Sequence, residues 1–363
     1  MITSEMIAAI TSKISELIAD KGYYDGSRLL RKAAGDKPST ILISTTTRST
    51  GKTSYYILFS WFLNRWYGKE TAYMVRLVND LKNYHVIFYD VLEYYELLDG
   101  EFKSELIVRD TVAGITYNAE RFGYVICLKK ADALKKFSSV FRDVELVLME
   151  EYQPEEQGGI LKNEPDKLKS ILRTVGRGNG RMTREVLTVL LGNPVTLLNP
   201  YLIKYKIAPQ YHAKDGIITV SRVSAEFNLL NAASEEMKEH SLTEIYCTDY
   251  DIGKSFLYAS DGFVRKAPGK CSYMFTIVYG KDAIGIRGAK GKLDVYCTPN
   301  PDPKCDLIFA LNPSDMDETR TLINRRSFTW QYLRDAFNSG HLFFATLKIK
   351  EVMFDLLGIS VYN

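Results

Sequence analysis

The sequence has few cysteines and almost no net charge. Its five cysteines show no CxxC spacing, so they indicate neither a zinc site nor a disulfide framework, and we expect a reducing, intracellular compartment. Lysine plus arginine total 47 against 44 acidic residues, and the resulting net charge of +3 is too small for a protein that coats nucleic acid by bulk charge. Any contact with a polyanion must therefore be local.

Long apolar runs and a signal peptide are also missing. The most apolar stretches, at 55–63 and 186–198, fall short of the roughly 18 uninterrupted apolar residues that a membrane span needs. The N-terminus has no basic region followed by an apolar one. It instead spaces Ile7, Ile10 and Ile14 as one face of a helix, which predicts an amphipathic helix. We expect no membrane-spanning segment.

What is present is the composition of a globular protein, with 46% hydrophobic, 12% aromatic and 25% charged residues. A chain of 363 residues suggests two domains. Short apolar runs alternate with helix-like segments in the first two hundred residues, which predicts an α/β domain with a parallel sheet. Shorter strands divided by Gly, Asp and Pro turns predict a smaller α+β domain at the end. The predicted organisation is 1–205, a connecting subdomain over 206–250 that includes a helix-like stretch from Ser224, and 251–363.

A candidate phosphate-binding loop follows the first apolar run, Thr40–Ser44, and precedes a helix-like stretch. In that context backbone N–H groups and a helix N-terminus hold phosphates, lysine neutralises them, and a threonine hydroxyl binds Mg²⁺. The pattern G-x-x-x-x-G-K-[ST] places glycine where this chain has Thr46, so a Ser/Thr-rich turn that caps a helix is the alternative. The candidate residues are Thr47, Arg48, Ser49, Thr50, Gly51, Lys52 and Thr53.

The second candidate motif is an apolar run that ends in two carboxylates, Glu150 and Glu151. If its strand is parallel to the first one, both acids lie at the strand's carboxyl end and face the phosphate loop. One acid would hold Mg²⁺ and the other would polarise the attacking water. The alternative is a solvated acidic pair at the end of a strand, followed by the polar loop QPEEQGG at 153–159.

Further residues complete the predicted site. Arg177 lies between two glycines, as an arginine that enters a neighbouring subunit's phosphate site would, and Asn193 ends the next strand, where it could sense the γ-phosphate or simply form a turn with Pro194. Two basic segments could bind nucleic acid or be solvated faces. They contain Lys129, Lys130, Lys135 and Lys136, and Lys281, Arg287, Lys290 and Lys292.

The sequence resembles the viral DNA-packaging ATPases of the large-terminase group. Arginine three residues before the glycine of G-K-T, the apolar run ending in Glu-Glu-aromatic, RTVGRGNGR at 173–181 and LLGNPVTLLNPYL at 190–202 carry the resemblance. With CSYMFTIVYG at 271–280, it is most similar to the packaging ATPases of phi29-like, protein-primed, short-tailed phages. Thr46 in place of glycine and Glu150 in place of aspartate depart from the wider pattern.

The resemblance implies a P-loop (ASCE-type) ATPase domain followed by a degenerate RNase H-like domain without nuclease activity. It implies that Arg48 and Lys52 contact the phosphates of ATP, that Thr53 and Glu150 hold Mg²⁺ and that Glu151 is the general base. The same resemblance implies a homomeric ring, commonly a pentamer, which uses Arg177 in trans. Such a ring pumps double-stranded DNA through the portal vertex of a capsid in the infected host's cytoplasm, with a structural packaging RNA in this subgroup.

Two other functions remain open on the residues alone. A nucleic-acid helicase or AAA-like remodelling ATPase would use the same hydrolysis machinery. A non-hydrolysing assembly module with a relic phosphate loop would bind nucleotide without releasing phosphate. A GTPase is disfavoured because no NKxD sequence follows the loop. In the C-terminal domain the best candidate for the first long strand, Cys271–Tyr279, contains no Asp or Glu, which argues against a two-metal nuclease. Later acids, Asp294, Asp302 and Asp306, lie near strand ends or in a proline-rich loop and are predicted to be solvated turn residues.

Overall fold

The computed structural model describes most of the chain. The described residues are 2–19, 24–47, 50–155, 159–161, 163–177, 184–207, 216–228, 262–279, 282–311, 313–324 and 326–359. The chain divides into two compact units, Met1–Tyr258 and Ala259–Asn363. Each unit has a sheet of its own.

The first unit combines a large sheet with helices. Its helices are α1 Ser4–Ile18, α2 Ser27–Leu30, α3 Lys52–Tyr67, α4 Asp80–Asn83, α5 Val86–Tyr94, α6 Glu164–Val175 and α7 Pro200–Lys204. Its strands are β1 Ile41–Thr46, β2 Glu70–Val75, β3 Phe102–Val108, β4 Val112–Tyr117, β5 Glu120–Cys127, β6 Val144–Met149, β7 Leu187–Gly192, β8 Gly216–Val220 and β9 Val223–Asn228.

The sheet of the first unit has the order β3-β4-β5-β2-β6-β7-β1-β9-β8. Its six central strands, from β5 to β9, are mutually parallel, which confirms the predicted parallel α/β sheet. Strand β7 separates β1, which leads into the candidate phosphate loop, from β6, which leads into the two acids. Because the strands are parallel, their carboxyl ends meet at one edge of the sheet, where ligands bind in open α/β sheets.

Both ends of this sheet differ from the prediction. The antiparallel strands β3 and β4 extend one end and were not anticipated. At the other end the predicted connecting subdomain needs correction: β8 and β9 belong to the sheet, with β9 parallel to β1. Residues 224–228 were expected to be helical but form a strand, because Ser224 and Glu226 bond to buried polar groups on one face while Ala225 and Phe227 alternate with them. Residues 229–250 lie outside the described part.

Helix α3 is the centre of the first unit's core. Its residues from Tyr55 to Leu63 are all buried. The most apolar run of the N-terminal half is therefore a helix that is buried on all sides in the core. The predicted amphipathic helix is α1, which packs against this core through Ile7, Ile10 and Ile14. Thr3 caps α1 by accepting a hydrogen bond from the Met6 amide at 3.3 Å.

The second unit contains a six-stranded sheet with the order β14-β13-β10-β11-β12-β15. Its central strand β10 is antiparallel to β11 and parallel to β13, and β12 is antiparallel to β11. The helices of this unit are Phe328–Asn338 and Leu347–Leu357. The strands are β10 Cys271–Tyr279, β11 Asp282–Ala289, β12 Val295–Thr298, β13 Ile308–Ala310, β14 Thr321–Leu322 and β15 Leu342–Phe344. No described helix is both long and apolar enough to cross a membrane.

One buried carboxyl makes the stability of the first unit dependent on pH. Glu70, at the start of β2, is 9% exposed, and burial together with the neighbouring Asp143 raises its pKa to about 7, against the opposing effects of Arg121 and Tyr124. The folded protein therefore keeps a proton on Glu70 that the unfolded chain releases near pH 4.5. The contribution of Glu70 to stability is present at low pH and is lost as the pH rises through 7.

We expect Glu70→Gln, which stays neutral, to remove this dependence. Relative to the wild type, the variant should gain unfolding free energy between pH 5 and pH 8, by up to about 3 kcal/mol, since each pKa unit corresponds to about 1.4 kcal/mol. Urea unfolding at both pH values measures the difference. Glu120→Gln, whose carboxyl is exposed at the start of β5, is the control. An equal change in both variants would contradict the assignment.

Candidate nucleotide-binding site

The phosphate loop connects β1 to α3 as predicted. Gly51 caps α3 with a φ of 86°, in the left-handed region that favours glycine, and its carbonyl accepts the Tyr55 amide at 2.9 Å. Thr46, which replaces the expected glycine, is buried and its hydroxyl lies 3.1 Å from that of Thr50. The Thr50 hydroxyl also donates to the Thr47 carbonyl at 3.3 Å. Hydroxyl contacts within the loop thus accommodate Thr46. Arg48 and Ser49 lie outside the described residues.

Lys52 and Asn193 come together as the predicted site requires. The Lys52 side chain is buried, and its Nζ donates to Asn193 Oδ1 at 2.7 Å and to the Thr47 carbonyl at 3.2 Å. Asn193 follows β7, the strand beside β1. Its Nδ2 in turn donates to Glu155 Oε1 at 3.2 Å. Glu155 was not among the predicted site residues, because its loop was interpreted as a solvated polar segment.

The two acids follow β6 but have different surroundings. Glu150 is half-buried, and its Oε1 is shielded from solvent. Burial, and then the charge of Glu151, raise the pKa of Glu150 to about 7, while a hydrogen bond with Tyr84 and the charge of Lys52 act in the opposite direction. A buried carboxylate that lies within the influence of the loop lysine suits a hard cation such as Mg²⁺. Thr53, the other residue predicted to hold Mg²⁺, lies in the first turn of α3 and lines the cavity beside the phosphate loop.

Glu151 is exposed and its backbone is in an unusual conformation, with a φ of 49°. Its carbonyl accepts a hydrogen bond from Arg76 Nη1 at 2.7 Å. Arg76 follows β2, the neighbour of β6 in the sheet. Sequence analysis missed this arginine, although an arginine directly after a buried strand of a parallel sheet was a usable signal.

Tyr152 connects three strands below the acids. Its side chain is fully buried, and its hydroxyl lies 2.6 Å from Thr45 Oγ1 and accepts Gln153 Nε2 at 2.6 Å. A Cβ atom on Gly192 would lie 2.7 Å from the tyrosine ring, so only glycine fits at the end of β7. The ends of β1, β6 and β7 are therefore packed directly on one another.

A cavity of about 400 Å³ opens beside the phosphate loop. The N-terminal turn of α3 forms one side of it, where backbone N–H groups and the helix dipole favour anions. Helix α5 and the residue after it form the other side with Asp90, Tyr94 and Tyr95. The cavity thus offers a phosphate-binding wall and an aromatic wall.

The basic run at 162–184 separates into two parts. Arg173 and Arg177 are exposed, Arg177 just after the end of α6. Arg184 is structural: it pairs with buried Glu145 at 3.5 Å and donates to the carbonyls of Phe141 and Val144. Lys162 and Arg181 lie outside the described residues.

Gly176, expected to give the loop flexibility, has a packing role. A Cβ atom there would lie 2.5 Å from the Arg184 carbonyl, so glycine permits the two backbones to approach. Gly178 and Gly180 lie outside the described residues. The chain around Arg177 is thus fixed on the side of α6.

The first predicted nucleic-acid segment lies on the same edge of the sheet as the phosphate loop. Lys129, Lys130, Lys135 and Lys136 are all exposed in short turns after β5. Lys135 pairs with Asp132 at 2.9 Å. Four strand spacings of about 4.8 Å separate β5 from β1, which places the basic segment about 19 Å from the phosphate loop along the sheet.

The second predicted nucleic-acid segment is described in part. Lys290 and Lys292 are exposed beside Gly291, whose φ of 73° forms the turn after β11. Arg287 is half-buried and stacks over the Tyr273 ring, with 5.0 Å from Cζ to the ring centroid. Lys281 lies outside the described residues.

The carboxylates of the second unit do not converge. Asp294, expected to be a solvated turn residue, instead pairs with His341 at 2.8 Å and with Arg265 at 3.2 Å. Asp302 caps a turn by accepting the Lys304 amide at 3.0 Å. Strand β10 contains no acidic residue. Among the described residues, no three His, Cys, Asp or Glu side chains are grouped so that they could hold a metal ion.

The model of the podovirus DNA encapsidation protein (Gp16) family matches residues 20–360. The chain belongs to this family. It is 24% identical over 305 residues to the DNA packaging protein of Bacillus phage B103, an alignment that covers 80% of this chain and 88% of the relative. It is 23% identical over 317 residues to the DNA packaging protein of Bacillus phage phi29, with coverage of 85% and 90%.

Two solved structures are similar to the family member described here over nearly its whole length. A chain of the bacteriophage phi29 viral genome packaging motor assembly superimposes with a TM-score of 0.65 at 19% identity, covering 93% of this chain and 99% of that one. A chain of the Phi-28 gp11 DNA packaging motor superimposes with a TM-score of 0.63 at 14% identity, covering 94% and 99%. At such low identity the likeness establishes the shared fold, including both units.

Proposed function

We propose that this protein hydrolyses ATP to move double-stranded DNA into a preformed viral capsid. One observation carries the proposal: the buried Lys52 of the phosphate loop contacts Asn193 at 2.7 Å, and the acids after β6 lie at the same edge of the sheet. Phosphate-binding loop, polar sensor and acid pair on three adjacent parallel strands form the minimum machinery for hydrolysing a nucleoside triphosphate. Membership of a DNA encapsidation family supports DNA as the polymer that is moved.

Each predicted residue has a defined task in this proposal. Backbone N–H groups of Thr47 to Thr53, with Lys52, bind the β- and γ-phosphates of ATP, and Arg48 adds a second positive charge. Thr53 and Glu150 hold Mg²⁺, which neutralises the charge that develops on the phosphates. Glu151 orients and deprotonates the attacking water. Asn193 exchanges its contact with Lys52 for one with the γ-phosphate.

The assembly that we propose is a homomeric ring, a pentamer, at the portal of the capsid in the cytoplasm of the infected host. The exposed Arg177, beyond the end of α6, supports a ring in which each subunit supplies an arginine to its neighbour's ATP. The second unit then serves as a docking surface for the capsid vertex or a structural packaging RNA and does not cut DNA. The dispersed carboxylates of that unit support this role.

Substitutions at Lys52 and Glu151 should separate nucleotide binding from hydrolysis. Lys52→Ala removes the charge that neutralises the phosphates and should abolish tight ATP binding. Glu151→Gln keeps the shape of the site but loses the base, so we expect ATP binding close to normal and turnover at least ~10²-fold slower. Equilibrium binding of labelled ATP and phosphate release measure the two steps. Normal turnover by Glu151→Gln would transfer the role of general base to Glu150. A wild-type protein that binds ATP without releasing phosphate would indicate a relic site.

Arg177 should act between subunits. Arg177→Ala should lower DNA-stimulated turnover by ~10³–10⁵-fold and leave ATP binding intact, because an arginine finger stabilises only the transition state. Mixing Arg177→Ala with Glu151→Gln subunits should restore part of the activity, since some interfaces then combine an intact finger with an intact base. Arg173→Ala, exposed one turn earlier, is the matched variant. If no mixing ratio restores activity, Arg177 does not act in trans.

The basic segment after β5 should contact the DNA backbone. We expect Lys135→Ala and Lys136→Ala each to lower the slope of log affinity against log salt by about one, and to weaken binding regardless of sequence. Fluorescence anisotropy with labelled duplex DNA at several salt concentrations gives the slope. Lys13→Ala is the control, because Lys13 forms the same kind of exposed pair, with Glu16, on α1. An unchanged slope would exclude the segment as a DNA contact. Separation of DNA strands in the absence of capsids would favour the helicase alternative.

A further inference from the structure

Arg76 lies where two strands of the active-site edge meet. It is the first residue after β2, and β2 pairs with β6 in a register that matches Met74 with Met149. Continuing that register places Arg76 opposite Glu151. The arginine therefore lies beside the acid that we propose as the general base.

All the nitrogens of the Arg76 guanidinium are engaged. Nη1 donates to the Glu151 carbonyl at 2.7 Å, and Nη2 donates to the Tyr152 carbonyl at 3.3 Å. Nε and Nη2 also donate to the two carboxylate oxygens of Glu164, at 3.0 and 2.8 Å. One planar group thus connects the segment after β6 to the first residue of α6.

Glu164 is itself held firmly. Its side chain is fully buried, and the side chain of Arg76 is 13% exposed. Glu164 accepts further hydrogen bonds from the Tyr201 hydroxyl at 2.9 Å and from the Leu161 amide at 2.8 Å. A buried ion pair with this many partners fixes the position of both ions, because breaking any contact leaves a buried charge unsatisfied.

The backbone of Glu151 needs such support. Its φ of 49° is in the left-handed region, which a residue with a Cβ atom adopts only at a cost in free energy. Its side chain is exposed, and among the described residues none hydrogen-bonds its carboxylate. The conformation of its backbone therefore decides where the carboxylate points.

We propose that Arg76 is a positioning residue of the ATPase: by binding the carbonyls of Glu151 and Tyr152, it holds the Glu151 carboxylate toward the attacking water. This inference rests on the proposed function, in which Glu151 is the general base. A lysine cannot replace the arginine, because its single ammonium group lacks the planar set of donors that reaches both carbonyls and Glu164 together.

The test is turnover and nucleotide affinity of Arg76→Lys in the full chain. We expect kcat to fall ~10- to 100-fold, the size of effect that a small displacement of a reacting group produces. The Kd for ATP should change less than about threefold, because the phosphate loop is untouched. Arg222→Lys is the matched control, since Arg222 forms an exposed ion pair with Glu185 at the amino-terminal edge of the sheet, opposite the phosphate loop.

A double-mutant comparison distinguishes positioning from general support of the fold. If Arg76 acts through Glu151, Arg76→Lys should lower single-turnover phosphate release less than twofold in a Glu151→Gln background. An equal loss in both backgrounds, or an unchanged kcat in Arg76→Lys alone, would overturn the proposal. Turnover that Glu151→Gln leaves unchanged would instead refute the role of Glu151 and transfer it to Glu150, whereas a wild type that binds ATP without releasing phosphate would refute the proposed function.

Tyr201→Phe provides the same comparison with a smaller change. It removes one hydrogen bond from Glu164 and leaves the Arg76–Glu164 pair in place. We expect a loss of kcat of a few-fold that disappears in the Glu151→Gln background. If Arg76→Lys does not fold, this variant decides, and an equal loss in both backgrounds, or none in either, overturns the proposal.

Discussion

The buried ammonium group of Lys52 constrains the whole edge of the sheet on which it lies. A charge that is nearly excluded from water must be paired by nearby oxygens. Lys52 finds them in the carbonyl of Thr47 and the carboxamide of Asn193, which belong to two neighbouring strands. That requirement brings β7 next to β1, and β6 follows as the next strand. Phosphate loop, sensor and acids are then neighbours at one edge of the sheet.

Packing beneath the polar groups reinforces the same order. Tyr152 reaches from the end of β6 to Thr45 on β1 and occupies the space that a side chain at position 192 would need. The aromatic residue after the acids, which the sequence motif includes, is therefore a spacer for three strands. Its contacts hold the acid pair, the tyrosine and the glycine close together in space, although they lie on different elements.

The parts of the fold that local patterns encode were predictable. Buried parallel strands are continuous apolar runs, and a loop with Gly-Lys-Thr before a helix has few other structures available to it. These two patterns indicated β1, β6, β7 and α3, together with Lys52, Glu150 and Asn193. The antiparallel β3 is largely exposed and lacks such a run, and β9 alternates polar and apolar residues in a way that was mistaken for a helix.

Pairings between distant residues were beyond the reach of sequence patterns. Arg76 and Glu164 are 88 residues apart, and each alone resembles an ordinary charged residue near the end of an element. Glu155 was assigned to a solvated loop because its bond to Asn193 depends on how β6 and β7 align. Asp294 was likewise expected in solvent, whereas its pairing with His341 depends on β12 and β15 being neighbours. Identifying such pairs requires the order of the strands, which composition and periodicity do not determine.

Helix α6 has a mechanical consequence. It begins at Glu164, which is bonded through Arg76 to the backbone of Glu151, and Arg177 follows two residues after its end. Its 12 residues form a rod of about 18 Å. The backbone of the proposed general base and the proposed arginine finger are therefore attached to opposite ends of one short, stiff element.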